Sequence, residues 1–145
     1  MVKEIKSSPK IKEPFDLDVI LDFLFDQGLF FIIVKNNSDA PVFKVSIDFN
    51  KKITGLGGRK EISSLPLFSN IEFLAPRKEI KTFLDTSQSY FTRKQPEKIT
   101  ARISYTNKEG AIKTGIINHD LSIYKEIGFI KIIHDEKQSR TGGEK

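Results

Sequence analysis

The 145-residue chain has no cysteine and no tryptophan, and it has only one methionine and two histidines. Without cysteine, disulfides, Cys-ligated zinc sites and iron–sulfur clusters are excluded. The absence fits a reducing compartment, although exported bacterial domains also lack cysteine. No cofactor is expected, and the two histidines offer little for catalysis.

The chain also lacks a long uncharged apolar segment. Residues 1–15 are charged and contain no stretch like the apolar part of a signal peptide, which favours a cytoplasmic protein. The most apolar segment, Leu17–Val34, carries Asp18, Asp22 and Asp26, so we predict no membrane span. An extracytoplasmic setting remains open if the chain belongs to a longer or anchored assembly.

Charge is distributed unevenly along the chain, whose net charge is +5. Residues 16–48 contain six acids and two lysines, whereas residues 49–124 contain thirteen basic residues and seven acids. Such asymmetry can attract a polyanion, but more often it marks an uneven solvated surface.

Two segments alternate strictly between apolar and polar residues. In Val42–Phe49 the residues Phe43, Val45, Ile47 and Phe49 share one side, and Lys98–Tyr105 repeats the pattern. This period of two is typical of half-buried strands. With turn signals every 8–15 residues or so, the chain is predicted to be all-β, an immunoglobulin-like antiparallel sandwich of seven to nine strands in two sheets. The domain would span residues 14–133, between a flexible basic arm (1–13) and a disordered tail (134–145).

The first segment, Leu17–Phe25, fits either a strand with an apolar face or a helix with aspartates at i, i+4. We favour a strand, because the Asp26-Gln27-Gly28 turn follows at once. Leu29–Lys35 is apolar on both faces and is predicted to be a central strand, with Val42–Phe49 as its hairpin partner.

Further strands are predicted at Ile71–Leu74, Glu79–Leu84, Ala111–Ile117 and Leu121–Tyr124, with Ile127–Ile133 as a last strand or flap. Leu65–Phe68 would be an edge or crossing segment because of Pro66, and Asp85–Pro96 a long polar loop. The predicted core residues are Phe31, Ile33, Phe43, Val45, Ile47, Phe73, Ile80, Ile99, Ala101, Ile103 and Ile123.

The string IIVKNNSDAPVFKVSIDF, residues 32–49, resembles the corner between the second and third strands of immunoglobulin-like modules of the bacterial and archaeal adhesion-related (CARDB-like) type. Residues 101–124, ARISYTNKEGAIKTGIINHDLSIY, resemble the late hairpin of the same modules. Asn36 and Asn37 stand where those modules usually show Asn-x-Gly, and Ser38 replaces the glycine. The resemblance covers about a third of the chain and implies an immunoglobulin-like fold. It also implies an adhesion or assembly setting, in which such modules are commonly repeated and exported.

Three candidate sites favour a structural interpretation. The segment Thr54–Lys60 is rich in glycine and ends in Arg59-Lys60, but it lacks P-loop spacing, so a loop between strands is favoured over a phosphate site. Asp18, Asp22 and Asp26 would lie roughly 13 Å apart in succession on a strand, too far to share a metal ion. His119 and His134 have no carboxylate at metal-site spacing and no triad.

The best candidate surface combines two aromatic or apolar pairs in irregular segments with nearby basic residues. Ordinary core at the end of the sandwich is the more frequent outcome for such pairs, but an exposed patch would suit a protein partner or single-stranded nucleic acid. The candidate binding residues are Arg59, Lys60, Leu67, Phe68, Arg77, Tyr90, Phe91, Arg93 and Lys94. We therefore expect a non-enzymatic interaction or structural module with a protein partner. Nucleic-acid or polyanion binding is the alternative, and the oligomeric state is left open.

Overall fold

The computed structural model describes residues 16–127. This part is mostly antiparallel β-structure, as predicted, and the first segment forms a strand from Val19 onward rather than a helix. The predicted arm 1–13, the tail 134–145 and most of the segment 127–133 lie outside the described residues. The strands are β1 (Val19–Asp26), β2 (Leu29–Asn36), β3 (Val42–Phe49), β4 (Thr54–Gly55), β5 (Lys60–Glu61), β6 (Ile71–Leu74), β7 (Glu79–Thr86), β8 (Lys98–Thr106) and β9 (Ile112–Asp120).

Two short helices and two 3₁₀ turns lie wholly within the described part. Helix α1 is Pro66–Ser69, helix α2 is Ser87–Thr92, and the 3₁₀ turns are Leu56–Gly58 and Leu121–Tyr124. The sequence predicted a crossing segment, a loop and a strand at three of these places, and those predictions were wrong. Pro66 starts α1 because its fixed φ suits the first helical position. No helix among residues 16–127 combines the length and the apolar character needed to cross a membrane.

The strands form a three-stranded sheet in the order β1-β2-β7, a four-stranded sheet in the order β6-β3-β8-β9, and the small β4-β5 hairpin. β1 and β2 pair directly through Gln27 and Gly28, whose φ values of 50° and 84° suit a tight hairpin turn. β8 and β9 form the predicted late hairpin, with Thr106 opposite Ile112. The two large sheets enclose one hydrophobic core.

The predicted pairing of β2 with β3 was wrong, because the chain crosses from one sheet to the other between them. Asn36 holds this corner with a fully buried side chain. Its Nδ2 donates to the backbone oxygens of Ala40 (2.8 Å), Leu74 (3.2 Å) and Ala75 (3.1 Å). Its Oδ1 accepts from the Ser38 backbone N–H at 3.0 Å. The polar run after β2 thus signals a reversal, but it does not specify which sheet receives the next strand.

A bulge in β3 overturns one predicted core residue. Lys44 has φ 53°, and the pairing of β3 with β8 shifts register between Phe43 and Ser46. The extra residue turns both Val42 and Val45 inward, where they are buried. Phe43 consequently lies half-buried on the opposite face, against the exposed Phe73 with ring centroids 5.6 Å apart.

The predicted core face of β2 was also wrong. Phe30, Ile32 and Val34 are fully buried, whereas Phe31 and Ile33 are half-buried on the outer face. Because this strand is apolar on both faces, its alternation does not indicate which set points inward.

Of the eight remaining core predictions, five are confirmed and three are wrong. Val45, Ile47, Ile99, Ala101 and Ile103 are buried as predicted. Ile80 is only half-buried against the core, and Phe73 (56% exposed) and Ile123 (63% exposed) are surface residues.

Candidate functional site

The glycine-rich connection surrounds an ion pair between Asp85 and Arg93. Arg93 Nη2 lies 2.5 Å from Asp85 Oδ2, and the two side chains are 23% and 5% exposed. Arg93 also donates to Thr54, from Nη1 to Oγ1 at 2.7 Å and from Nη2 to the backbone oxygen at 3.2 Å. These bonds tie β4, the end of β7 and α2 together at one end of the two sheets.

Local structure explains how the pair meets. The register of β2 and β7 shifts beside Phe30, so that the successive residues Leu84 and Asp85 are both buried. Thr86 caps α2 by accepting from the Ser89 backbone N–H at 3.1 Å. One helical turn later, Arg93 Nε donates to Ser89 Oγ at 3.3 Å, which directs the guanidinium toward Asp85.

The glycine-rich loop does bind an anion, and that anion is the chain's own carboxylate. Asp85 Oδ1 accepts from the backbone N–H of Gly57 (3.2 Å) and of Thr86 (2.9 Å). Gly57 and Gly58 have φ of 69° and 93°, conformations that favour glycine. The loop geometry considered as a phosphate cradle is therefore filled from within, which supports the structural interpretation of this segment.

The predicted aromatic patch is core at its two central residues. Phe68 is 2% exposed and packs edge-on against Phe49 with ring centroids 5.0 Å apart. Tyr90 is fully buried against Phe30, and its hydroxyl donates to the Pro96 oxygen at 2.5 Å. Burial raises the pKa of the Tyr90 phenol well above its ordinary value. Both residues lie on the inner side of a short helix, which the sequence treated as irregular chain.

The residues next to Phe68 and Tyr90 in the sequence are less buried. Leu67 and Phe91 are half-buried and pack against the core. Lys125 Nζ stands 5.5 Å from the centroid of the Phe91 ring and 2.6 Å from a carboxylate oxygen of Glu97.

The predicted basic rim does not assemble around one patch. Arg77 lies in the turn before β7 and donates to Asp39 at 2.9 Å. β7 is eight residues long, so its two ends are about 23 Å apart. Arg77 precedes one end, and Arg93 pairs with Asp85 near the other. Arg59, Lys60 and Lys94 are exposed at the end that holds the glycine-rich loop.

His119 has a structural environment. Its side chain lies between the sheets, with Nε2 2.9 Å from the backbone oxygen of Leu21 and the ring edge-on to Phe23 at 5.0 Å. His134 lies outside the described residues. Within residues 16–127, no three His, Asp or Glu side chains lie close enough together to hold a metal ion.

The outer face of the three-stranded sheet holds a candidate surface that lies outside the predicted site. One cross-strand row contains Leu24, Phe31 and Phe83, and the Phe31 and Phe83 rings meet edge-on with centroids 5.6 Å apart. Ile33 is half-buried in the adjacent row, and Leu29 is 37% exposed beyond Phe31. The signal was present in β2, which is apolar on both faces and therefore needs cover on both.

This row continues toward the glycine-rich loop. Phe83 (36% exposed) and Leu56 (37% exposed) flank an open depression of about 450 Å³ that Asp85 and Ser89 also line. Several apolar side chains on one sheet face form a connected surface, whereas single exposed apolar residues are ordinary.

Comparison with protein families finds a match over residues 4–125 to the family described as "Domain of unknown function (DUF8453)". The chain belongs to this family. No significant match was found among curated proteins or among solved structures. Membership of the family assigns no activity, so function is argued from the surface itself.

Proposed function

We propose that this domain is a non-enzymatic interaction module that binds a protein partner through the outer face of its three-stranded sheet. The observation that carries the proposal is the apolar row of Leu24, Phe31 and Phe83 on that face. Aromatic and aliphatic side chains that lie together on a rigid sheet are typical anchors of protein interfaces.

The chemistry of the described titratable groups supports a binding role. The raised pKa values of Tyr90, Tyr105 and Tyr124 arise mainly from burial. The pKa of Asp120 is lowered by hydrogen bonds from Ser122 at the start of a 3₁₀ turn. Each of these shifts thus has a packing or capping cause, which fits structural roles for these groups.

We further propose an immunoglobulin-like sandwich, as the resemblance to CARDB-like modules implies. The strand order supports this. When β1, β2, β3, β7, β8 and β9 are taken as strands A, B, C, E, F and G, one sheet is A-B-E and the other contains C-F-G. β6 then lies beside strand C instead of joining the A-B-E sheet.

Site-specific photo-crosslinking in cells tests the interaction proposal. A benzophenone amino acid would replace Phe83 in the full chain, and the matched control would carry it at Ile112, an exposed apolar position (75%) on the other sheet. We expect covalent protein adducts from position 83 and few from position 112. Equal adduct yields at both positions, or none from position 83, would contradict the proposed surface.

Polyanion binding has separate support at the loop end. Lys51, Lys52, Arg59, Lys60 and Lys94 are all exposed there. The buried Phe68 and Tyr90 cannot stack on bases, so this alternative rests on charge alone. Single-stranded DNA binding that weakens steeply as salt rises would favour it, and no binding at about 50 mM salt would remove it.

A further inference from the structure

We propose that the partner on the outer face of the three-stranded sheet is a second copy of this chain, related by a two-fold axis that runs parallel to β2. The inference rests on the proposed function, because it requires that face to be an interaction surface. It adds the identity of the occupant and the geometry of the complex.

The face carries a charge pattern across its strands. Asp22 of β1 lies opposite Ile33 of β2, and Ile33 lies opposite Lys81 of β7. Asp22 and Lys81 are both exposed. Lys81 Nζ stands 4.9 Å from the centroid of the Phe31 ring, which places its ammonium on the same face as the apolar row. These two rows give the face an acidic β1 side, an apolar centre and a basic β7 side, while the row at the end of the face holds Ile20, Lys35 and the exposed Glu79.

A two-fold rotation about an axis parallel to β2 exchanges the two edges and keeps each row in place. Asp22 of one copy then faces Lys81 of the other, and the reciprocal pair forms on the far side of the axis. The apolar row meets its own copy, with Phe31 at the centre. Two sheets that pack face to face in the aligned way lie about 10 Å apart with strand directions within about 30° of each other, which this parallel arrangement satisfies.

The other in-plane axis, perpendicular to the strands, gives a worse arrangement. If this axis passes through the apolar row, the row of one copy that contains Asp22 lies over the row of the other copy that contains Asp26 and Leu29. Two aspartates then approach each other, and like charges across an interface oppose association. Within these rows the parallel axis brings one like-charged pair together, the two Lys35 side chains of the end row, and it forms two Asp22–Lys81 pairs. The perpendicular axis opposes Asp22 and Asp26 twice and forms no Asp22–Lys81 pair. The charges therefore favour the axis parallel to the strands, and this self-complementarity favours a second copy over an unrelated partner.

The size of the face predicts a weak dimer. Three strands of eight residues cover about 14 by 26 Å, or on the order of 360 Å² in projection. Stable interfaces bury about 800 Å² on each partner, so this contact belongs to the small, transient class. We expect dissociation in the micromolar range or weaker.

Sedimentation velocity of the full chain from about 1 µM to 1 mM, combined with charge exchange, tests the proposal. Asp22→Lys alone and Lys81→Asp alone should each weaken self-association about tenfold or more, because each places like charges opposite one another twice. An equimolar mixture of the two variants should recover association, because both reciprocal pairs become attractive again. Asp48→Lys, which makes the same charge change on the four-stranded sheet, is the control and should associate like the parent.

A parent chain that stays monomeric throughout the series would overturn the proposal, as would a mixture that associates no better than either variant alone. Failure of the proposal is distinguishable from failure of the proposed function. A monomeric chain whose position 83 crosslinks to a different protein would leave the interaction surface intact and remove only the second copy as its occupant.

Discussion

The strongest stability prediction concerns the two Arg–Asp pairs at opposite ends of β7. Arg93 and Asp85 are 23% and 5% exposed, whereas Arg77 and Asp39 are 57% and 89% exposed, although both pairs are in hydrogen-bonding contact. Removing one partner of a buried pair costs about 3–5 kcal/mol, because it leaves an uncompensated buried charge. An exposed pair contributes about 0–1 kcal/mol.

Arg93→Ala should therefore lower the free energy of unfolding by about 2–4 kcal/mol, the partial exposure of the guanidinium reducing the full value. The substitution leaves the Asp85 carboxylate buried without its cationic partner and removes both hydrogen bonds to Thr54. Arg77→Ala is the matched control and should cost less than about 1 kcal/mol.

Urea unfolding followed by circular dichroism measures the stability losses of Arg93→Ala and Arg77→Ala, and the comparison requires equal m-values. The variant that combines Asp85→Ala with Arg93→Ala completes a double-mutant cycle. Its loss should be smaller than the sum of the single losses by about 1–3 kcal/mol, because no charge is left buried without a partner. Strict additivity, or an Arg93→Ala loss equal to that of Arg77→Ala, would refute the reasoning.

Three further predictions concern close packing, buried phenols and core depth. Gly55→Ala should cost about 3 kcal/mol or more, because a Cβ there would stand 2.0 Å from the Leu84 backbone oxygen. Gly57→Ala meets no atom within 4 Å and should cost only about 1 kcal/mol, for its positive φ; chemical denaturation ranks the two. The fold raises the pKa of the Tyr90 phenol, because burial disfavours the phenolate. The stability that this group contributes is therefore fully present below about pH 10, and the free energy of unfolding falls by about 1.4 kcal/mol per pH unit above it. Urea melts at pH 9 and 11 should show this loss in the parent and a smaller one in Tyr90→Phe. Ile103→Ala should cost about 2–5 kcal/mol and Phe73→Ala about 0.5 kcal/mol or less; equal losses in thermal melts would contradict the assigned faces.

The sequence predicts strands better than it predicts their faces. β1, β6, β7 and the β8–β9 hairpin form at or near their predicted places because alternation and turn residues act locally. The inward set of β3 was partly wrong because a single bulge at Lys44 reverses the alternation. That bulge depends on the pairing of β3 with β8, which a local pattern does not contain.

The site was harder to predict because burial depends on contacts between distant parts of the chain. Phe68 and Tyr90 resemble loop residues in sequence, yet each is turned into the core by a helix of four to six residues. The pairing of Asp85 with Arg93 requires a bulge, a cap and a glycine-rich loop to meet in space. By contrast, the two apolar faces of β2 were visible in the sequence, and they indicated a strand that needs cover on both sides.

The most direct test of the outer-face interface is methyl NMR of the full chain across a concentration series. Chemical shifts of the Leu24, Leu29 and Ile33 methyl groups should move together as the concentration rises, because these side chains line the face. The Ile112 methyl groups, which are exposed on the other sheet, should stay fixed. Concentration-dependent shifts at Ile112 with none at Leu24 and Ile33, or no shifts at all up to about 1 mM, would contradict self-association through this face.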